Sequence, residues 1–224
     1  NLVPSTTPAV TTITDSIDTT TVTLTAGQNV TEGGQITYTA TLTNPAQTPV
    51  TVTLSNGSVI TIKAGESVGS VIVDTPPNDV YVNGSTVSTT ITGATGGNFE
   101  NLVPSTTPAV TTITDSIDTT TVTLTAPSQV SEGGQITYTA TLSNKAGTDV
   151  TLKLDNGSTI TIKAGDTVGT LTVPAPSDDV FIDKSTQTVK ITDTAGGNFE
   201  KLEVAGDGAT TTINDTIDKV DVVL

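Results

Sequence analysis

The chain has 224 residues, contains no Cys, His, Met or Trp, and its eight basic residues are all Lys. This composition excludes disulfide bonds, thiolate and imidazole metal sites, and nucleophile systems that depend on Cys or His. The formal net charge of −15 argues against nucleic acid and anionic membrane surfaces as partners, because phosphate binding requires clustered basic side chains. The remaining chemistry is that of carboxylates, amides and hydroxyls, for which divalent cations are the natural counter-species.

Short strands follow one another from the start of the first full repeat. In TTVTLTA, Val22, Leu24 and Ala26 share one face, and QITYTATL continues the alternation from Ile36 to Leu42. Apolar residues that alternate with Thr are typical of half-buried strands with a polar outer face. Further strands are predicted at 50–54, 59–63, 68–73, 80–82, 87–91 and 110–117, with GATGGNFENLVPSTTP as one long loop.

Seven or eight short strands without helical periodicity predict an all-β fold. The architecture expected is an immunoglobulin-like antiparallel β-sandwich without the Cys and Trp hallmarks of antibody domains. Tyr38 and Tyr138 fall on the apolar face of a strand and are expected in the core. No stretch approaches the roughly 18 apolar residues of a membrane span, so we expect no direct membrane insertion.

An internal repeat divides the chain. Residues 1–26 recur unchanged at 101–126, so the period is 100 residues. A unit of about 100 residues is the commonest domain size and can enclose its own core. We therefore predict the end of a preceding repeat at 1–18, tandem immunoglobulin-like sandwiches at 19–118 and 119–218, and the start of a following repeat at 219–224.

Acidic residues are predicted to gather where one repeat follows the next. The last strand, TTITDSID, runs into the first strand of the next repeat with no Gly or Pro between them. We expect Ca²⁺ at each joint, because Ca²⁺ takes about six to eight oxygen ligands and a site built from both repeats would fix their mutual angle. The candidate ligands are Glu32, Asp79, Asp115, Asp118 and Glu200 at the first joint and Glu132, Asp179, Asp215 and Asp218 at the second.

The same acids have a purely structural alternative. Asp and Asn end strands, favour turns and protect sheet edges against aggregation. The ligand interpretation is favoured because Asp115, Asp118 and Glu132 have counterparts in the other copies, whereas Asp74 corresponds to Pro174.

Several motifs together resemble one known family. The EGG turn before ITYTATL, the NGSxITIKAG hairpin, the GGNFE loop and the TTITDSID joint, repeated every 100 residues, resemble the extender repeats of giant bacterial biofilm adhesins, the large adhesion protein (LapA-like) and RTX-adhesin family. The resemblance implies type I secretion, a parent protein anchored in the outer membrane at the bacterial cell surface, and a stalk that carries distal ligand-binding domains. Some relatives depend on Ca²⁺ at their bead junctions, and Glu32, Asp115 and Asp118 are the matching positions here.

The sequence is compatible with more than one function. The first is a structural spacer, a monomeric fragment whose partners are neighbouring repeats of the same chain. The alternative is a module that binds carbohydrate or a host protein through its loops, with Phe99 and Phe199 as the aromatic candidates. An enzyme is not expected, because a paired-carboxylate hydrolase needs a cleft that small, loop-poor beads rarely form.

Overall fold

The computed structural model describes residues 1–217 and Lys219, and these residues fold into two units. The first unit comprises residues 1–76 and 85–113, and the second comprises 77–84 and the described residues from 114 onwards. Every regular element among the described residues is a strand. None of the described residues forms a helix with the length and hydropathy that a membrane span requires. The prediction of an all-β chain of tandem, sandwich-like domains is confirmed.

The first repeat folds into three sheets. Its strands are β1 (Thr19–Ala26), β2 (Asn29–Thr31), β3 (Gln35–Leu42), β4 (Val50–Leu54), β5 (Val59–Ile62), β6 (Val68–Asp74), β7 (Ser85–Thr89), β8 (Ile91–Gly96), β9 (Asn101–Pro104) and β10 (Ala109–Thr114). The sheet orders are β6-β3-β1-β9, β5-β4-β8 and β2-β10-β7. β3 is antiparallel to both β1 and β6, whereas β9 runs parallel to β1.

The core of the first repeat follows from the alternation in its strands. In β3 the side chains of Ile36, Tyr38, Ala40 and Leu42 are buried, and the intervening Thr residues face outwards. Thr suits this outer face because it is β-branched and stiff at χ1. Side chains from all three sheets meet in one hydrophobic cluster. Burial of apolar surface, at about 25 cal/mol per Å², stabilises this repeat from within.

The second repeat has the same order of elements and its own core. Its strands are β11 (Thr119–Thr125), β12 (Gln129–Ser131), β13 (Gln135–Leu142), β14 (Val150–Leu154), β15 (Thr159–Ile162), β16 (Val168–Pro174), β17 (Ser185–Val189), β18 (Ile191–Gly196), β19 (Lys201–Ala205) and β20 (Ala209–Asn214). The sheets are β16-β13-β11-β19, β15-β14-β18 and β12-β20-β17. The register is conserved, since Val22 faces Leu42 in one repeat and Val122 faces Leu142 in the other.

Three expectations about single elements were wrong. Residues 80–82 form no strand; a single antiparallel bridge pairs Tyr81 with Phe199 instead. The strand predicted at 87–91 is divided between β7 and β8, which lie in different sheets. The predicted long loop contains β9, a four-residue edge strand that ends in Pro104 and shows no long alternation. A short edge strand is hard to predict from sequence, because it has too few residues to show an alternation of apolar and polar side chains and depends on pairing with its neighbour.

The chain ends bear on two further predictions. Residues 1–18 form no strand and are exposed throughout. The segment predicted to start a following repeat at 219–224 lies, apart from Lys219, outside the described residues, and so does Asp218.

Candidate metal centre of the second unit

Three carboxylates of the second unit come together at one end of its sandwich. Glu132 lies in the turn between β12 and β13, Asp183 lies in the loop before β17, and Asp215 follows β20. One oxygen from each carboxylate lies within 4.8 Å of the others. The group formed by Glu132, Asp183 and Asp215 is called the carboxylate cluster below.

Backbone hydrogen bonds hold the cluster's turn in place. The Glu132 amide donates to the carbonyl oxygen of Asn214 at 3.0 Å, and the Gly133 amide donates to that of Pro176 at 2.7 Å. Gly133 has φ of +66°, a left-handed conformation that a glycine adopts at little cost. The EGG turn is therefore tied both to the end of β20 and to the loop that carries Asp183.

Burial and acidic neighbours change the pKa of Glu132 in the cluster. Partial burial, a hydrogen bond with Asp183 and the negative charges of Asp183, Asp215 and Asp179 raise the pKa of Glu132 above its ordinary value. Among the described residues, Glu132 Oε2 and Asp215 Oδ1 are buried without a hydrogen-bond partner. Buried polar atoms are ordinarily paired, so these two oxygens are candidate ligands for a cation.

A hard divalent cation fits this donor set. Ca²⁺ prefers carboxylate oxygens and tolerates irregular geometry, whereas Mg²⁺ demands an octahedron and keeps several waters. A bound cation would offset the negative charges of Asp183, Asp215 and Asp179, which act together with burial to raise the pKa of Glu132.

The second set of predicted ligands agrees with the structure only in part. Glu132 and Asp215 do lie together, whereas Asp218 lies outside the described residues. Asp179 adds negative charge near Glu132, but its Oδ1 accepts a hydrogen bond from the Phe181 amide at 2.8 Å. Sequence comparison missed Asp183 because the corresponding residue of the first repeat is Asn83, an amide rather than an acid.

Of the ligands predicted for the first joint, Asp79, Asp115 and Asp118 lie in or beside residues 77–84, which belong to the second unit. The Asn83 amide donates to the two oxygens of Asp115 at 3.3 and 3.2 Å, and its side-chain Nδ2 donates to Asp79 Oδ2 at 2.8 Å. Asn78 Nδ2 donates to Asp118 Oδ2 at 2.6 Å. These acids were predicted from the sequence, but the two asparagines that donate hydrogen bonds to them were not. The N-D-x-x-x-N spacing of Asp79 and its flanking amides was the available signal.

Glu200 and Glu32 complete the account of the predicted ligands. Glu200 Oε2 accepts a hydrogen bond from the Asp118 amide at 2.6 Å, and Glu200 Oε1 is buried with no partner among the described residues. Glu32 is buried in the turn of the first unit that corresponds to the EGG turn of Glu132. Its participation in a cation site stays a prediction.

Comparison with known proteins agrees with the repeat pattern. A search of curated proteins found no match. The family model of the LapA domain matches the chain twice, at residues 18–116 and 118–216, in phase with the 100-residue period. LapA domains are repeats of cell-surface adhesins, a family that is non-enzymatic by kind. The resemblance inferred from the motifs is thus confirmed, and the chain belongs to the LapA domain family as two adhesin-related repeats in tandem.

Proposed function

We propose that this chain is a pair of extender repeats from the stalk of a bacterial biofilm adhesin. The stalk projects distal ligand-binding domains from the cell, and the parent protein is an RTX adhesin exported by type I secretion and anchored in the outer membrane. The observation that carries the proposal is the tandem match to the LapA domain by two repeats with the same strand order and register. A spacer gains reach with every added copy, so repetition serves it directly.

The dimensions of the repeats support a spacer. The longest strands, such as β3, have eight residues, and a strand rises about 3.3 Å per residue, so each repeat spans roughly 25 Å before its loops are added. Each repeat also has its own hydrophobic cluster. Separately stabilised beads suit a stalk because one bead can unfold without the loss of its neighbour's core.

The aromatic residues favour the spacer over a carbohydrate-binding module. Phe199 is only 9% exposed and packs in the core of the second unit, and Phe99 packs against the core of the first. A carbohydrate platform needs an open aromatic face, which the buried ring of Phe199 does not offer.

Small-angle X-ray scattering of this chain tests the spacer proposal. We expect a maximum dimension close to the sum of two repeats in line, in the presence of Ca²⁺. A compact distance distribution with and without Ca²⁺ would contradict the stalk.

We further propose that Ca²⁺ binds the second unit at the carboxylate cluster of Glu132, Asp183 and Asp215. The unpartnered oxygens and the raised pKa of Glu132 support this site. The first-joint ligands Glu32, Asp79, Asp115, Asp118 and Glu200 stay a separate prediction, as do Asp179 and Asp218 at the second.

Thermal unfolding with Ca²⁺ and with chelator tests the cation site. A ligand at about 100 times its Kd stabilises the folded state by about 2.7 kcal/mol, so the unfolding temperature of the second unit should rise with Ca²⁺. Glu132→Gln should remove this rise. Asp166→Asn, a substitution at an exposed acid in a different turn, should keep it. An equal response of all three proteins would refute the assignment.

A further inference from the structure

A loop from the first repeat forms part of the second unit. Residues 77–84, called the docking loop, lie between β6 and β7 but fold with the described residues from 114 onwards. The Tyr81 ring stacks on the Phe199 ring with centroids 5.9 Å apart and an interplanar angle of 19°. Tyr81 Oη donates to the carbonyl oxygen of Lys145 at 2.8 Å. An aromatic stack and a hydrogen bond thus hold one side chain.

Backbone hydrogen bonds make the contact specific. The Val82 amide donates to the carbonyl oxygen of Asn198 at 3.1 Å, and the Glu200 amide donates to that of Val80 at 3.0 Å. The surface that receives the loop is called the socket and comprises Asp118, Lys145, Gly147, Asn198, Phe199 and Glu200. The absence of a side chain at Gly147 matters, because a Cβ there would lie 3.2 Å from Tyr81 Cδ1. The docking loop therefore contacts its socket through both backbone and side chains.

The first unit has the corresponding surface as an open cavity. A cavity of about 300 Å³ has Asp18, Pro45, Gln47, Asn98, Phe99 and Glu100 in its lining. Each number is 100 less than that of a socket residue. The Asp18 amide donates to Glu100 Oε2, as the Asp118 amide donates to Glu200 Oε2. This cavity is therefore the first unit's equivalent of the socket.

The second repeat has an exposed loop that corresponds to the docking loop. In residues 177–184, Val180, Phe181 and Ile182 are 57%, 71% and 96% exposed. The Phe181 amide donates to Asp179 Oδ1 at 2.8 Å, and the Tyr81 amide donates to Asp79 Oδ1 at 2.7 Å, so both loops contain the same turn. Three consecutive exposed apolar residues are typical of an interaction site.

We propose that residues 177–184 are a docking segment whose partner is the socket of another LapA repeat. In a longer stalk that partner is the next repeat, and for this chain in solution it is the first-unit socket of a second copy. The role of this contact in a stalk rests on the proposed spacer function, because there the contact would join one repeat to the next. The contact itself needs neither a cell nor Ca²⁺ and is tested without them.

Three sequence differences weaken this docking relative to that of residues 77–84. Phe181 lacks the hydroxyl with which Tyr81 binds a carbonyl oxygen. Asp178 stands where Asn78 donates to Asp118, and a carboxylate cannot donate and repels the acid of the socket. Gln47 occupies the position of Gly147 and hydrogen-bonds with Asn98 at 2.7 Å, which narrows the first-unit socket. Gln47→Gly should therefore open this socket and strengthen the contact.

The experiment follows amide NMR signals of the ¹⁵N-labelled chain in chelator as its concentration rises to about 1 mM, the range in which weak contacts are populated. We expect the signals of residues 177–184 and 98–100 to shift together, and to shift at lower concentration in Gln47→Gly. Phe181→Ser should abolish both sets of shifts while leaving the rest of the spectrum unchanged, because that ring is exposed.

Two results would overturn the proposal. One is the absence of concentration-dependent shifts in Gln47→Gly at about 1 mM. The other is a shift of residues 177–184 without a shift of 98–100, which would place the loop on a different surface. Neither result would bear on the spacer function, which depends on the scattering dimensions.

Discussion

Residues 1–18 and 101–118 have identical sequences but different structures. The second copy forms β9, which pairs in parallel with β1, and β10, which pairs with β7. The first copy is exposed and forms no strand. The same sequence thus forms strands in one place and none in the other, because a strand's hydrogen bonds come from its neighbours and not from its own residues.

The interiors of the two repeats also differ at one corresponding pair. In the first repeat, Thr89 Oγ1 donates to Tyr38 Oη at 2.9 Å, and both side chains are buried. In the second repeat Val189 stands at the position of Thr89, and Tyr138 Oη has no partner among the described residues. Burial and the charge of Asp155 raise the pKa of Tyr138. One fold thus contains one satisfied and one unsatisfied tyrosine.

The largest expected effect comes from Gly97→Ala and Gly197→Ala. Both glycines have positive φ, and an added Cβ would overlap Phe99 Cε2 in one repeat and lie 2.5 Å from Phe199 in the other. The left-handed conformation costs an alanine about 1–2 kcal/mol, and crowding adds about 1–3 kcal/mol. Because Tyr81 stacks on Phe199, whereas Phe99 borders a cavity, Gly197→Ala should destabilise its unit more than Gly97→Ala does.

Denaturant unfolding of the two variants measures this difference. Gly57→Ala is a suitable control, since φ is +83° there but an added Cβ meets nothing within 4 Å. The free energy of unfolding lost in Gly57→Ala should be close to the cost of the left-handed conformation alone. Equal losses for Gly97→Ala and Gly197→Ala would contradict the role assigned to the stacked ring.

A smaller effect is expected at the buried tyrosines. Tyr38→Phe leaves the Thr89 hydroxyl buried without its partner, which should cost about 1–3 kcal/mol, whereas Tyr138→Phe removes an unpaired hydroxyl and should be neutral or stabilising. Val189→Thr should restore the missing pair and stabilise the second repeat. Chemical denaturation of each variant checks all three, and a similar loss for both Tyr→Phe changes would show that the two hydroxyls do not differ.

The smallest expected effect is a pH dependence confined to the second repeat. Because the pKa of Glu132 is raised, stability falls as the pH rises from its ordinary value of 4.5 through the raised pKa, where the carboxylate ionises beside Asp183 and Asp215. Lys163 and Lys153 lower the pKa values of Asp149 and Asp193, whose contribution is lost as the pH falls below their ordinary 3.8. In chelator, acidification from pH 7 should therefore first stabilise the second unit and then destabilise it.

Unfolding temperatures of the wild type and Glu132→Gln between pH 7 and 3, in chelator, separate the two effects. In Glu132→Gln the unfolding temperature should no longer rise on mild acidification, but it should still fall at lower pH. The first repeat has Thr53 and Gly93 in place of Lys153 and Asp193, so it lacks that ion pair. A rise on mild acidification that persists in Glu132→Gln would place its origin elsewhere.

Two of the three carboxylates of the cluster could be predicted from the sequence, but the third could not. Glu132 and Asp215 were expected together because each lies at a recurring turn or strand end. Asp183 was not, because the two copies differ there and only the path of the loop brings it within 4.8 Å of Glu132. A loop's path depends on contacts made far away in the chain, which local patterns do not contain.

The fold class, the repeat and most of the core follow from the pattern of residues along the chain. Alternation with a period of two residues is a local property, so Ile36, Tyr38 and Leu42 could be assigned to the interior without a structure. The parallel pairing of β9 with β1 and the folding of residues 77–84 with the second unit could be seen only in three dimensions. Both depend on partners distant in the sequence, and the identical junctions show that local residues alone do not specify such pairings.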